Sequence, residues 1–184
     1  MIGSTLLSDI TEAHPNLTAS EILTELDIQV LSVLGQNNDD YLSDGMDMSL
    51  IIYNTETKQM TCSSARRPIY IIHNNELTEI NGVKRSIGER DEICRQQPYT
   101  DHTISISEGD MLYLYTDGIT DQFGGQQIHG ENGKRLSKKG IKTILKDICT
   151  LNIEEQKKAF TQTFETWQGT CGQIDDMSLI GIKF

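Results

Sequence analysis

The chain has 184 residues, with 27 acidic against 16 basic side chains and a formal charge of −11. That length suits a single domain, 1–184, with a sizeable core; the thin scatter of Lys and Arg argues against nucleic acid or an anionic membrane as the main partner, since both demand a basic footprint, and favours a cationic ligand. Cys62, Cys94, Cys149 and Cys171 are widely spaced with no CxxC pair, which indicates reduced cytosolic thiols and not a zinc or disulfide framework.

From Ile2 to His14 apolar residues fall at Ile2, Leu6, Leu7 and Ile10, a helical spacing that Pro15 stops. A natural domain seldom opens inside an amphipathic helix without a cap, so the sequence is expected to start at a gene or cloning boundary. After "HPNLTASE", Thr18 or Ser20 caps a second predicted helix whose apolar face is Ile22, Leu23, Leu26, Val30, Leu31 and Leu34, ended by "GQNNDD". From Met46 to Thr78 the pattern changes to short β-rich runs, "MSLIIYN", "KQMTCSS", "PIYIIHN" and "ELTEI", which read as an antiparallel meander. "HTISISEGDMLYLY" reads as a hairpin-like pair, and "GGQQIHGENGKR", 124–135, as a mobile Gly-rich loop. Helices are predicted over about 137–149 and 153–168, the second with Phe160, Phe164 and Trp167 on one face, before a closing strand. This order predicts an α+β domain with helices covering antiparallel sheet. No apolar run approaches the ~18 residues of a membrane span, and no signal peptide is recognisable, so this segment is expected to be soluble.

Asp117 directly follows a buried-looking strand, and Asp175 with Asp176 directly precedes one. Carboxylates at such rigid points, if they converge, place hard oxygen donors around one small cation. His and Cys are absent from both stretches, which favours Mg²⁺ or Mn²⁺. The residues alone leave a second reading open, since Asp-Gly after a strand also makes an ordinary turn. "DGMD", 44–47, lacks the remaining acids of a calcium loop, Gly124-Gly125 lacks the Lys-Ser/Thr of a P-loop, and no histidine has a partner motif.

"YLYTDGITD", followed by "DDMSLIGIKF", resembles the PPM class of metal-dependent serine/threonine phosphatases, in its bacterial SpoIIE-like and RsbU-like branch. The likeness continues through "DGMDMSLIIYNTETKQMTCSSARRPIYII", "SIGER", "HTISISEGDMLYLYTDGITDQFGG" and "EEQKKAFTQTFETWQG". It implies a layered α-β-β-α sandwich of antiparallel sheets flanked by helices. Asp117 and Asp175 would be the catalytic metal ligands of a two-metal Mn²⁺ or Mg²⁺ site, with Asp176 beside them. Asp121 resembles the second acid of the same motif or is a solvated helix residue. Where some members carry an Asp for a third metal, this chain has Arg66 and Arg67, which either pair with a substrate phosphate or are two exposed arginines before a strand.

Two acidic motifs of the family, a G-D-x-Y/W strand and a D-x-x-G-H-G segment, are missing from the sequence. It resembles the C-terminal two thirds of the domain, N-terminally truncated, so weak metal affinity, low activity and unpaired sheet edges are expected. The resemblance implies a bacterial signalling output domain, cytoplasmic or the cytoplasmic part of a membrane-linked sensor. A metal-activated water would hydrolyse phosphoserine or phosphothreonine on a regulator such as a STAS-type anti-anti-sigma protein. An upstream sensor domain and a second copy of the chain are the other expected partners. The alternative is a non-catalytic phosphatase-fold binding module.

Overall fold

The computed structural model describes residues 2–35, 45–130 and 133–184. The proposed stop at "GQNNDD", apart from Gly35, lies outside the described residues, as does Asp44 of "DGMD". In chain order the elements are α1 (Ile2–Ala13), α2 (Ala19–Gly35), β1 (Met48–Asn54), β2 (Gln59–Ala65), β3 (Ile69–His73), β4 (Glu76–Ile80), α3 (Glu92–Arg95), β5 (His102–Ser105) and β6 (Met111–Tyr115). They continue with α4 (Asp117–Asp121), β7 (Phe123–Gly124), α5 (Gln126–His129), β8 (Lys134–Arg135), α6 (Ser137–Ile148), α7 (Ile153–Gln168) and β9 (Leu179–Lys183). By its contacts the chain divides into two compact units, residues 1–69 with 80–106 and residues 70–79 with 107–184.

In the first unit α2 starts at a capping box: the Thr18 hydroxyl accepts from Glu21 N at 3.4 Å while the Glu21 carboxylate accepts from Thr18 N at 2.8 Å. Ser20 bonds instead to Asp101 through its backbone N and hydroxyl, at 2.7 and 2.9 Å. Ile22, Leu23, Leu26 and Val30 recur at helical spacing and bury one face of α2 with Ile10 of α1, Ala65, Ile87 and Tyr99. The sheet beneath has the order β1-β2-β5, and both of its pairings are antiparallel. On α2, the buried Asp27 accepts from Arg85 at 3.2 Å and from Gly88 N at 2.7 Å, so the two buried charges compensate each other.

The second unit holds a sheet of order β4-β3-β6-β9. Asn74 and Asn75, both left-handed with φ of 48° and 64°, form the two-residue turn that matches strand twist in a β3–β4 hairpin. Met111, Tyr113 and Tyr115 alternate along β6 onto one face, where they meet Ile141, Ile144, Leu145 and Ile148 of α6 and Phe164 of α7. The polar ends of the buried aromatics are satisfied: Tyr113 donates to Gln156 at 2.7 Å, and the Tyr70 and Tyr115 hydroxyls stand 3.0 Å apart.

Mixed helix and antiparallel sheet is the expected class, but strand partners differ from the sequence expectation in two places. The meander is split, with β1 and β2 in one sheet and β3 and β4 in another. Arg66, at φ 61°, turns the chain sharply after β2 and breaks the ladder there. β5 and β6 do not pair with each other either; β5 joins β2, whereas β6 lies between β3 and β9. The Glu-Gly-Asp turn bonds elsewhere, Gly109 N donating to Phe184 O at 2.8 Å. The stretch read as a loop also carries regular structure among its described residues: Phe123–Gly124 pairs antiparallel with Lys134–Arg135, and Gln126–His129 is helical.

Candidate active site

The site is built where β6 runs into α4 and the last loop runs into β9. Met111–Tyr115 is buried sheet, and Thr116 keeps extended geometry, φ −86° and ψ 155°, before the chain turns into Asp117–Asp121. The Thr116 hydroxyl does not cap that short helix. It donates to the Asp176 carbonyl at 2.9 Å and accepts from Ser178 N at 2.9 Å, while Thr116 N donates to Ser178 O at 3.0 Å. One side chain thus straps together two acidic segments that stand 60 residues apart in sequence.

Gly118 completes the junction. A Cβ there would lie 2.4 Å from the Asp176 carbonyl oxygen and 2.9 Å from its carbon, so the two backbones approach as only a glycine permits. Asp117 is half-buried, and Asp175 and Asp176 are exposed. The Asp175 carboxylate accepts from Asp176 N at 2.7 Å, and Gln173 donates to the Asp175 carbonyl at 2.8 Å, which shapes the loop locally. Fully buried Gln122 donates to Gly172 O at 2.9 Å and to Phe123 O at 3.0 Å, anchoring the start of that loop beside α4. Asp121 faces Arg135 at 3.4 Å across the short β7–β8 ladder, as a surface ion pair.

The structure therefore brings the Asp117 segment against the Asp175–Asp176 segment. Arg66 and Arg67 belong to the first unit, where each meets an acid: Arg66 pairs with Glu89 at 3.2 Å and Arg67 with Asp47 at 2.8 Å. Thr116, Gly118 and Gln122 were not singled out by sequence reasoning. The first two stand inside the quoted "YTDG", where a clasp and a turn share the same letters; Gln122 leaves no pattern at all.

The donor chemistry, carboxylate and carbonyl oxygen without sulfur or imidazole, fits a hard divalent cation in kind. In number it falls short. Among the described residues no three His, Cys, Asp or Glu side chains gather in a way that could hold a metal ion, whereas magnesium takes near-octahedral coordination, partly from water.

No curated protein matches the sequence. Among solved structures, the chain is similar to the SiaA-PP2C domain of Pseudomonas aeruginosa, with a TM-score of 0.84 and 26% identity over 99% of this chain and 67% of that one. It is similar to the PP2C phosphatase domain, with a fragment of the regulatory domain, of the cell fate determinant SpoIIE from Bacillus subtilis; the TM-score is 0.68 at 15% identity, covering 99% of this chain and 48% of that one. RsbX in complex with magnesium matches with a TM-score of 0.60 and 15% identity over 97% of this chain and 71% of that one. The chain thus spans about half the length of the SpoIIE structure. The family model for stage II sporulation protein E matches residues 4–184, so the chain belongs to the SpoIIE family, in the SpoIIE-like and RsbU-like branch of the PPM phosphatases.

Proposed function

We propose that this chain is part of the metal-dependent serine/threonine phosphatase output domain of a bacterial signalling protein, acting on phosphoserine or phosphothreonine in a regulator. The observation that carries this reading is the Thr116 strap, which joins the segment of Asp117 to that of Asp175 and Asp176 in a chain of this family. Asp117 and Asp175 are the proposed metal ligands and catalytic residues, with Asp176 adjacent. Their all-oxygen chemistry supports Mn²⁺ or Mg²⁺. When bound, such ions supply an activated water and offset the negative charge of a phosphoryl group. The residues of the chain hold this place in shape: Thr116 and Gly118 fix the spacing of the two segments, and Gln122 ties down the loop that carries Asp175.

Arg66 and Arg67 are proposed to contact the substrate phosphate, for which that group must compete with Glu89 and Asp47. The proposed substrate is a phosphorylated regulator of the STAS type, with an upstream sensor domain as controller and the cytoplasm as the compartment. Among the described residues no helix is long and apolar enough to cross a membrane.

Hydrolysis of p-nitrophenyl phosphate tests the reading, alongside Mn²⁺ binding by calorimetry. The expected result is slow, chelator-sensitive turnover and weak Mn²⁺ binding, with Asp117→Asn lowering both at least about 10-fold at unchanged circular dichroism. Turnover that ignores chelator and Asp117→Asn would overturn it. The small number of gathered acids favours a second reading, a phosphatase-fold module that binds its regulator without hydrolysis. Tight binding of a phosphorylated STAS protein by a chain inert with every divalent ion would select that module.

A further inference from the structure

Basic residues are few in this chain, and they are not evenly spread. Lys134, Arg135, Lys138, Lys139, Lys142 and Lys146 fall in a stretch with no acidic residue, in a chain whose formal charge is −11. The fold turns that stretch into a surface. Ile141, Ile144, Leu145 and Ile148 commit one face of α6 to the core, and by helical geometry Lys138, Lys139, Lys142 and Lys146 share an arc of about 100° beside that face. Lys138, Lys139 and Lys146 are exposed and Lys142 is half-buried. Glu79 of β4 answers two of them, lying 3.8 Å from Lys138 and pairing with Lys142. Lys139 and Lys146, two turns and about 10 Å apart, make no ion pair among the described residues.

The stripe begins beside the candidate active site. Leu136 N donates to Gln122 O at 3.0 Å, and Ile119 of α4 packs in one cluster with Ile141 and Leu145. Arg135 meets Asp121 at 3.4 Å, and Asp121 stands one helical turn from Asp117 on α4. Such a face is complete as it stands. Lysine heads shut beneath further strands would be buried charges without partners, so what meets this face is solvent or an acid.

Resting on the reading of a phosphorylated regulator above, we propose that this stripe binds acidic side chains flanking the phosphorylated residue of that protein, which makes an acidic phosphopeptide the preferred substrate class. The distance from Lys139 to Lys146 equals about three residues of extended chain. Other polyanions fit less well. The exposed positions of α6 carry no aromatic or apolar side chain to stack on a base or enter a bilayer. An extended anionic surface would also meet the negative charge of the rest of the chain, whereas a short segment feels mainly the charges within about 8 Å at physiological salt.

Fluorescence anisotropy compares a phosphoserine peptide flanked by Asp and Glu with the same peptide carrying Asn and Gln. The acidic peptide should bind at least about 5-fold tighter at low salt, a margin that shrinks as KCl rises. Lys139→Glu/Lys146→Glu should abolish the preference and transfer it to a Lys-flanked peptide, at an unchanged melting transition. The charge-matched Lys157→Glu/Lys158→Glu, at exposed positions of α7, should keep it. Failure to bind either peptide, equal affinity for acidic and neutral flanks, or equal effects of the two double variants overturns the proposal. So does attachment to phosphatidylglycerol vesicles, in place of the acidic peptide, that the first double variant abolishes. Anisotropy reads binding without turnover, so a chain that prefers acidic flanks yet leaves p-nitrophenyl phosphate intact counts against the phosphatase reading alone.

Discussion

Gly118 lacks a side chain because the Asp176 carbonyl fills the space one would need. Gly118→Ala should therefore destabilise the fold by about 1–3 kcal/mol, as overpacking does, and should weaken Mn²⁺ binding further by parting the acidic segments; urea titration and calorimetry on one sample separate the two losses. Cys62 gives a second residue-scale expectation. Burial first, and the nearby Asp101 charge second, push its thiol from an ordinary 9.0 up to about 11, and burial likewise pushes Tyr99 up to about 12. Folding favours the neutral forms, so the stability they contribute is intact below pH 9.0 and lost as pH rises toward 11. Urea midpoints measured from neutral to alkaline pH should fall across that window, with Cys62→Val flattening its lower part. The meeting of the segments at 117 and 175–176 was legible in the sequence because a whole motif surrounds them. The Thr116 hydroxyl and Gln122 were not, because one polar side chain in a loop leaves no periodicity until its partner is known.

At the scale of elements, the four long helices were legible almost to their ends, whereas the short α3, α4 and α5 were not. α7 begins where Asn152 accepts from Glu155 N at 2.9 Å and Glu155 reaches back to Asn152 N at 3.4 Å. Asn152→Ala should cost about 1 kcal/mol, read as a lowered melting temperature with the α6 core unchanged. Strands were legible as strands but not as partners. A β-rich run records which residues alternate, whereas its neighbour is chosen by groups far along the chain. β6 is held to its place partly by Asp110, whose buried carboxylate bonds Ser107 N at 2.8 Å and meets His73 at 2.7 Å. Nothing near Asp110 in the sequence announces His73. The Gly-rich stretch hid its pairing for a related reason. Gly124 and Gly125 pack closely against Trp167, whose carbonyl oxygen would lie 2.2 Å from a Cβ on Gly124, and nothing in the local sequence names that partner.

For the molecule as a whole, two compact units each bury a separate cluster, one around α2 and one between β6, α6 and α7. A fold of this class was legible because the resemblance ran along nearly the entire chain, as the SpoIIE match over residues 4–184 bears out. The net charge of −11 gives a long-range pull on cations that salt screens over about 8 Å at physiological ionic strength. Mn²⁺ binding should accordingly weaken as KCl is raised, more steeply than a neutral site would show, by titration at fixed pH.

The strap from Thr116 to Asp176 and Ser178 carries a consequence for the order of events during synthesis. Asp117 leaves the ribosome long before the residues that fix it, so for that interval the nascent chain holds an acid with no counterpart. Only when the closing segment has emerged and settled beside β6 can both halves meet, a late and non-local step. A message cut short before codon 176 would yield a product in which the Asp117 segment never meets its distant counterpart.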